Sequence, residues 1–303
     1  MAIGHYIKEI GRGKDGARPL TREQAADLFG QVLDGSVTDL EMGAFCVAMR
    51  IKGETDQEMA GFLDATYARM QRVPSAQTTS PTIVIPTYNG ARKLPVLTPL
   101  LALLLAREGL PVLIHGTATE SSRVFTSKVL AALDIPAQTA MTEIAPGAVK
   151  FYPTALLCPG LQRLLEVRRV LNLRNPAHSL VKLMNPCAGK GLLVTSYTHP
   201  EYAVSMAATL QLLNANALLI RGTEGEAVAD PRRTPKMQAI VGGVAQDLDA
   251  YQGGSLGVLP DLPKSTDTDI TAAYIRQVLS GTQAVPQPIA QQVATIAKLA
   301  AGI

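Results

Sequence analysis

The stretch VIPTYNGARKLPVLTPLLALLL, residues 84–105, passes from an apolar strand through a turn into an apolar helix. In α/β enzymes such a junction holds phosphate, because backbone N–H groups at a helix N-terminus point at the anion. The turn here carries Pro86, Tyr88 and the pair Arg92 and Lys93 in place of a glycine cluster. A second source of anion chemistry lies farther along. Residues 150–190 hold seven basic side chains (Lys150, Arg163, Arg168, Arg169, Arg174, Lys182 and Lys190) against one acidic, Glu166, whereas residues 21–70 hold four basic and nine acidic. Clustered cations of this kind favour a polyanion, and an extended phosphate backbone needs no enclosing pocket. Arg232, Arg233 and Lys236 form a second, smaller basic group.

Other chemistries find less support. Cys46, Cys158 and Cys187 are far apart with no paired spacing, and His5, His115, His178 and His199 form no ligand cluster with them, which argues against zinc. Aromatic content is 4% with no Trp, so platforms for stacking bases are sparse. Tyr88, Tyr152 and Tyr197 fall near predicted strand ends, and core or rim packing is the simpler reading of each. No apolar run has the length of a membrane span, and MAIGHYIKEIGRGKDG lacks the apolar core of a signal peptide. A cytoplasmic protein with no membrane partner is the expectation.

The positioning elements follow from periodicity. From Thr21 to about Met70 apolar residues recur at helical spacing. TREQAADLFGQVLDG offers Thr21 as N-cap and Gly35 as stop; TDLEMGAFCVAMRIKG offers Thr38 or Asp39, with Glu41 in the first turn and Gly53 at the end; a third helix begins near Thr55. With the helix that opens the chain these make a small N-terminal helical domain, residues 1–73, followed by a linker at 74–80. Residues 81–303 alternate short apolar runs with helices: TIVIP, a helix over 98–108, PVLIHG, the helix SSRVFTSKVLAAL, KFYPTALLC, LLVTSYTH, the helix EYAVSMAATLQLL and ALLIRG. That pattern predicts an α/β domain with a predominantly parallel sheet covered by helices on both faces, and ligands beyond the carboxyl ends of its strands. Helices from about 160–185 are expected to join the N-terminal domain. After Arg232 come Gly, Pro and Asp clusters and then two helices.

The order of these motifs resembles glycosyltransferase family 3, the anthranilate phosphoribosyltransferase and nucleoside phosphorylase group. DGSVTDLEMGAFCVAMRIKGETDQEMAGFLDA, the strand–loop–helix, LPVLIHGTATESSRV and LVKLMNPCAG carry the likeness over nearly the whole chain. The family wraps the pyrophosphate of phosphoribosyl pyrophosphate in Gly-Thr-Gly-Gly-Asp, where this chain has Pro86, Thr87, Tyr88, Asn89 and Gly90. Proline has no N–H to offer and glycine is what lets backbone approach phosphate closely, so the cradle is damaged. Of Asn-Ile-Ser-Thr only a hydroxyl at Thr98 remains, and Lys-His-Gly-Asn becomes Ile114, His115, Gly116 and Thr117, without the lysine. Ser121, Ser122 and Arg123 stay in step with the family's serine loop, either as an anion contact or as a helix cap. The magnesium-binding Asp-Glu pair falls at about Ala227 and Val228, with Glu224, Glu226 and Asp230 displaced beside it. Arg168 matches an arginine that holds the carboxylate of anthranilate in the family.

A branch of the family has lost these motifs and binds nucleic acid, and IVIPTYNGARK, TPLLA, RNPAHSL and RGTEGE are similar to it. This resemblance implies a homodimer, joined through the helical domain, that binds single-stranded and duplex nucleic acid without marked sequence preference and uses no cofactor. The candidate contacts are Arg163, Arg168, Arg169, Arg174, Lys182 and Lys190, with Arg92 and Lys93 at the altered loop. Thr87, Asn89, Gly90, Thr98, His115, Gly116, Ser121, Ser122, Arg123 and Arg168 would line the vestigial cleft, with Glu224 and Glu226 as remnants of a metal site. The alternative is a glycosyl- or phosphoribosyltransferase acting on an aromatic acid or base with phosphoribosyl pyrophosphate and Mg. A third reading is a small-molecule or phosphate sensor using the old cleft.

Overall fold

The structure, a computed structural model, describes residues 3–13, 15–75, 80–248 and 260–303. Four helices open the chain: α1 (Gly4–Ile10), α2 (Arg22–Asp34), α3 (Asp39–Lys52) and α4 (Asp56–Tyr67). Thr21, Thr38 and Thr55 each close a reciprocal capping box with the Gln or Glu three residues on, so three of these helices start where local chemistry dictates. Gly35 ends α2 in the left-handed conformation. Phe29 stacks on Phe62 at 4.6 Å with Phe45 edge-on to both, and this aromatic knot joins α2, α3 and α4. Beneath it Glu58, fully buried, accepts Leu20 N–H and pairs with Lys52 at 2.6 Å.

The remaining elements in chain order are β1 (Thr82–Thr87), α5 (Thr98–Arg107), β2 (Val112–Gly116), α6 (Thr126–Ala132), β3 (Val149–Pro153), α7 (Thr154–Leu157), α8 (Pro159–Leu171), α9 (Ala177–Leu180), β4 (Gly191–Tyr197), α10 (Pro200–Leu212), β5 (Ala217–Arg221), β6 (Met237–Val241), β7 (Val244–Leu248), α11 (Thr268–Ser280) and α12 (Gln287–Ala301). They build one seven-stranded sheet in the order β3-β2-β1-β4-β5-β6-β7. β1 to β5 pair in parallel, and β6 and β7 add an antiparallel edge. The apolar runs of β1, β2 and β4 are buried almost throughout, as a sheet covered on both faces requires. One apolar cluster takes in α5, α6, α11 and α12 with one face of the sheet; the other joins the opposite face to the N-terminal helices and α8. α8 lies directly on α2: a Cβ on Gly160 would stand 2.2 Å from the Leu33 carbonyl oxygen, so only glycine permits this approach.

Three local expectations change. The helix predicted over SSRVFTSKVLAAL starts only at Thr126, because Val124 instead bridges to Ala91 and draws residues 121–125 against the β1–α5 loop. The strand KFYPTALLC stops at Pro153 and becomes the short helix α7. Between Arg232 and the last two helices, MQAIVGGVAQDL forms the unpredicted β6–β7 hairpin, turned at Gly242 and Gly243 with φ of 55° and 76°. Of the predicted linker, residues 76–79 lie outside the described residues.

Candidate functional site

Strand order reverses between β1 and β4, and ligands of doubly wound sheets settle at that switch point, beyond the carboxyl ends. The loops that meet there are 88–97 after β1, 117–125 after β2, and 222–226 after β5. Their contacts explain the altered phosphate loop. Glu226, 2% exposed, places Oε1 on the backbone N–H groups of Asn89 (2.8 Å) and Gly90 (2.7 Å). Its Oε2 accepts from the Thr87 hydroxyl, and the hydroxyls of Thr98 and Thr126 lie at 3.3 and 3.4 Å. Two residues earlier, Glu224 Oε2 accepts the N–H groups of Arg92 (2.9 Å), Lys93 (3.0 Å) and Leu94 (3.2 Å). Burial alone would raise the Glu224 pKa, but those three N–H groups bring it below the usual carboxylate value. The turn after β1 therefore still presents a nest of N–H donors, and the chain's own carboxylates occupy it.

The segment delivering them is a tight finger. Thr223 and Glu226 bridge each other, Glu224 has φ 53°, and Gly225 has φ 90° with its missing Cβ 2.1 Å from Asn89 Nδ2. Only glycine fits there. Ser196 Oγ and Lys182 Nζ hold the Gly225 carbonyl from below at 2.9 and 3.0 Å. Arg123 Nη1 clasps the opposite side through the carbonyls of Asn89 (3.2 Å) and Gly90 (3.4 Å).

Glu224 and Glu226, expected as remnants of a metal site, turn their carboxylates to backbone N–H groups of the loop after β1. Their oxygens are spent on N–H and O–H donors, while Ala227 and Val228, at the positions of the family's acidic pair, are buried in the apolar core. Among the described residues no group of three or more His, Cys, Asp or Glu side chains could hold a metal ion. The donor set does not fit magnesium.

Several candidates are structural. His115 is buried, with Nε2 facing the Met184 carbonyl at 3.1 Å and Nδ1 facing Tyr88 Oη at 2.9 Å. A carbonyl only accepts, so the proton sits on Nε2 and the tyrosine donates to Nδ1. Burial pushes the His115 pKa down to about 3, and a neutral strut replaces the expected phosphate contact. Gly116 packs its Cα against Thr87 in β1. Tyr88 and Tyr152 are buried and hydrogen-bonded, and Tyr197, 8% exposed, lines the cleft described below. Ser121 and Ser122 are exposed in the turn ahead of α6 and cap no helix, since the N-cap position is Phe125.

The basic candidates separate into groups. Arg168, Arg174 and Arg123 surround Glu120, and Arg92 and Lys93 flank the filled loop, exposed. Arg169 is exposed beside Arg168. Three others lie elsewhere. Lys190 precedes β4 at the opposite end of the sheet and donates to the Ile303 carbonyl at 2.8 Å. Arg163 is turned to α2, where it donates to the Leu33 carbonyl at 2.8 Å. Lys182 points inward, and burial lowers its pKa to about 8 against the opposing pull of Glu226.

Lys182 lines a cleft of about 400 Å³ between the α3–α4 junction, residues 174–183 and the end of β4 with α10. Arg174 stands in its wall and Arg168 does not, so the arginine available to a ligand there is Arg174 rather than Arg168. His178 lines it too: Nδ1 is engaged by Asn175, and Nε2 is buried without a hydrogen-bond partner among the described residues. Burial, reinforced by the charge of Arg174, lowers the His178 pKa to about 4. The sequence signal for this wall is RNPAHSLVK, whose Arg174, His178 and Lys182 recur four residues apart.

This combination of helical domain, mostly parallel sheet and cleft beside the carboxyl end of β4 defines an anthranilate phosphoribosyltransferase-like protein. Residues 5–70 match the helical bundle domain of a glycosyl transferase family. Anthranilate phosphoribosyltransferase of Thermus thermophilus superposes with a TM-score of 0.73 over 98% of this chain and 89% of that one, at 23% identity. Anthranilate phosphoribosyltransferase of Methylorubrum extorquens is 28% identical over 90% of this chain and 82% of its own length. The protein YbiB of Escherichia coli is 39% identical over 97% of this chain and 93% of its own length. The chain belongs to the family of YbiB, within this phosphoribosyltransferase-like group.

Proposed function

We propose that the protein binds nucleic acid, single-stranded and duplex, without sequence preference, as a homodimer built on a phosphoribosyltransferase-like fold. The observation that carries this reading is the glutamate finger. With Glu226 on Asn89 and Gly90 and Glu224 on residues 92–94, the nest has no donors left for a pyrophosphate and no carboxylates left for a divalent cation. Outside the filled nest Arg92, Lys93, Arg123, Arg168, Arg169 and Arg174 form a basic rim, and phosphate contacts alone supply nearly all the affinity of non-specific binding. The buried tyrosines favour backbone contact over base stacking.

The homodimer is supported by an apolar stripe on α3. Leu40, Val47 and Ile51 share one face of that helix and are 84%, 39% and 58% exposed. Side chains of this kind facing solvent at helical spacing suit a second copy of the same surface.

The test is fluorescence anisotropy of a labelled single-stranded oligonucleotide over a salt series. If about four phosphates are neutralised, affinity for the single strand falls about fiftyfold between 50 and 200 mM salt. Charge reversal at the rim, Arg168→Glu with Arg169→Glu, is expected to weaken binding by roughly tenfold or more. Undiminished binding by the reversed variant places the contact elsewhere, and no binding at 50 mM salt removes the reading. The 400 Å³ cleft favours one alternative, transfer to an aromatic acid or base. That reading requires the finger to leave the nest, and turnover with phosphoribosyl pyrophosphate would establish it.

A further inference from the structure

Glu120 stands 2.8 Å from Arg168 Nη1, 3.2 Å from Arg174 Nη2 and 3.4 Å from Arg123 Nε. Three guanidinium groups from the 117–125 loop, α8 and the turn after α8 thus converge on one carboxylate. A carboxylate has about four acceptor sites, fewer than the N–H groups that three guanidiniums with five donors each bring towards it. Arg123 Nε and Arg168 Nη1 are buried, and each is out of line for a hydrogen bond despite its short contact with Glu120. Glu224 also acts on Arg123, so three positive charges share two negative ones, and Arg123 Nε and Arg168 Nη1 remain without an aligned acceptor.

The group that matches this arrangement is a phosphate. It offers more oxygens than a carboxylate, and guanidinium forks pair with it in two-point contacts. Access is open on one side, since the Arg174 side chain is 41% exposed at the mouth of the cleft. The other side is anchored, because Arg123 is fixed to the carbonyls of Asn89 and Gly90. Glu120 sits on a turn ahead of α6, outside any helix or strand, and its side chain is 22% exposed.

We infer that Arg123, Arg168 and Arg174 form a phosphate site in which Glu120 is a built-in counter-ion that the incoming phosphate displaces. The carboxylate keeps three like charges together in the free protein and competes with the ligand for them. A nucleic-acid backbone as the natural source of the phosphate rests on the function proposed above; the site itself requires only a phosphate group.

The experiment compares the wild-type protein with Glu120→Gln and Glu120→Ala, using inorganic triphosphate by calorimetry and a labelled oligonucleotide by anisotropy. Thermal melts establish that each variant is folded, and the two variants give independent readings. Removing the competing charge is expected to tighten triphosphate binding roughly fivefold, and Arg168→Ala in the Glu120→Gln background to abolish the gain. The oligonucleotide is expected to follow, with a steeper salt dependence. Equal or weaker triphosphate binding by both variants overturns the inference, whatever the oligonucleotide does. Tighter triphosphate binding with no oligonucleotide retained by any form keeps the site and removes the nucleic-acid reading. Oligonucleotide binding that is unchanged by both substitutions, with triphosphate unchanged too, leaves the nucleic-acid reading standing and removes Glu120 from it.

Discussion

Glu226 Oε1 accepts the backbone N–H of Gly90 at 2.7 Å, across 136 positions of sequence. That bond joins the loop after β5 to the loop after β1 and makes a carboxylate of the chain the occupant of its own anion nest.

Replacing Glu226 by Ala leaves the N–H groups of Asn89 and Gly90 unanswered in a buried setting. Each such group costs about 1–3 kcal/mol, so a loss of roughly 2–6 kcal/mol is expected in denaturant unfolding. Millimolar inorganic phosphate should restore part of the loss, because the emptied nest suits an anion. A variant as stable as wild type, or one that phosphate leaves unchanged, would show that the nest depends on other contacts.

Gly225→Ala addresses the finger by geometry alone. The backbone sits at φ 90° and the new Cβ would stand 2.1 Å from Asn89 Nδ2. A loss of about 2–3 kcal/mol follows from the strain and the clash. A melting temperature unchanged from wild type would mean that the finger refolds around the methyl group.

The helical domain makes its own prediction at Glu58, fully buried and paired with Lys52 at 2.6 Å. Glu58→Ala strands the ammonium and the Leu20 N–H together, and breaking a buried pair on one side costs about 3–5 kcal/mol. Urea unfolding measures it. A cost below about 1 kcal/mol would show that water replaces the carboxylate freely.

Two histidines set the response to acid. Burial, with Arg174 adding to it for His178, holds His178 near 4, and burial holds His115 near 3, both below the free value of 6.5. Between the folded and unfolded values the unfolded chain binds the extra proton, so stability falls as pH drops below about 6.5 and the loss saturates near the folded pKa. The slope is roughly 1.4 kcal/mol per pH unit for each histidine. His178→Gln should remove about half of this histidine contribution between pH 6 and 5, read from urea midpoints. Identical slopes for the variant and wild type would contradict the buried, neutral assignment.

What was legible in the sequence was local. Thr21, Thr38 and Thr55 announce their helices because a capping box needs only four consecutive residues. Pro86 and the apolar pair Ala227 and Val228 announce a loop altered from the family's phosphate-binding pattern. The finger was hidden because Glu224 and Glu226 acquire their role only when loops more than a hundred positions apart meet. Glu120 was hidden for the same reason, since its partners come from three segments. Lys182 and Lys190 look alike as charges in a basic stretch, yet one turns into the cleft and the other lies at the far end of the sheet. The β6–β7 hairpin does carry a local signal, Gly242-Gly243 between residues of β character, although the Gly, Pro and Asp clusters around it read as loop.

The most direct measurement is the equilibrium binding of a labelled oligonucleotide at 50 mM salt, titrated with phosphoribosyl pyrophosphate in the presence of magnesium. With the nest held by Glu224 and Glu226 and the rim outside it in contact with the backbone, binding should persist to millimolar competitor, apart from the screening that equal ionic strength produces. Displacement at micromolar phosphoribosyl pyrophosphate, dependent on magnesium, would mean that the finger yields to the substrate and that the fold retains a transferase site.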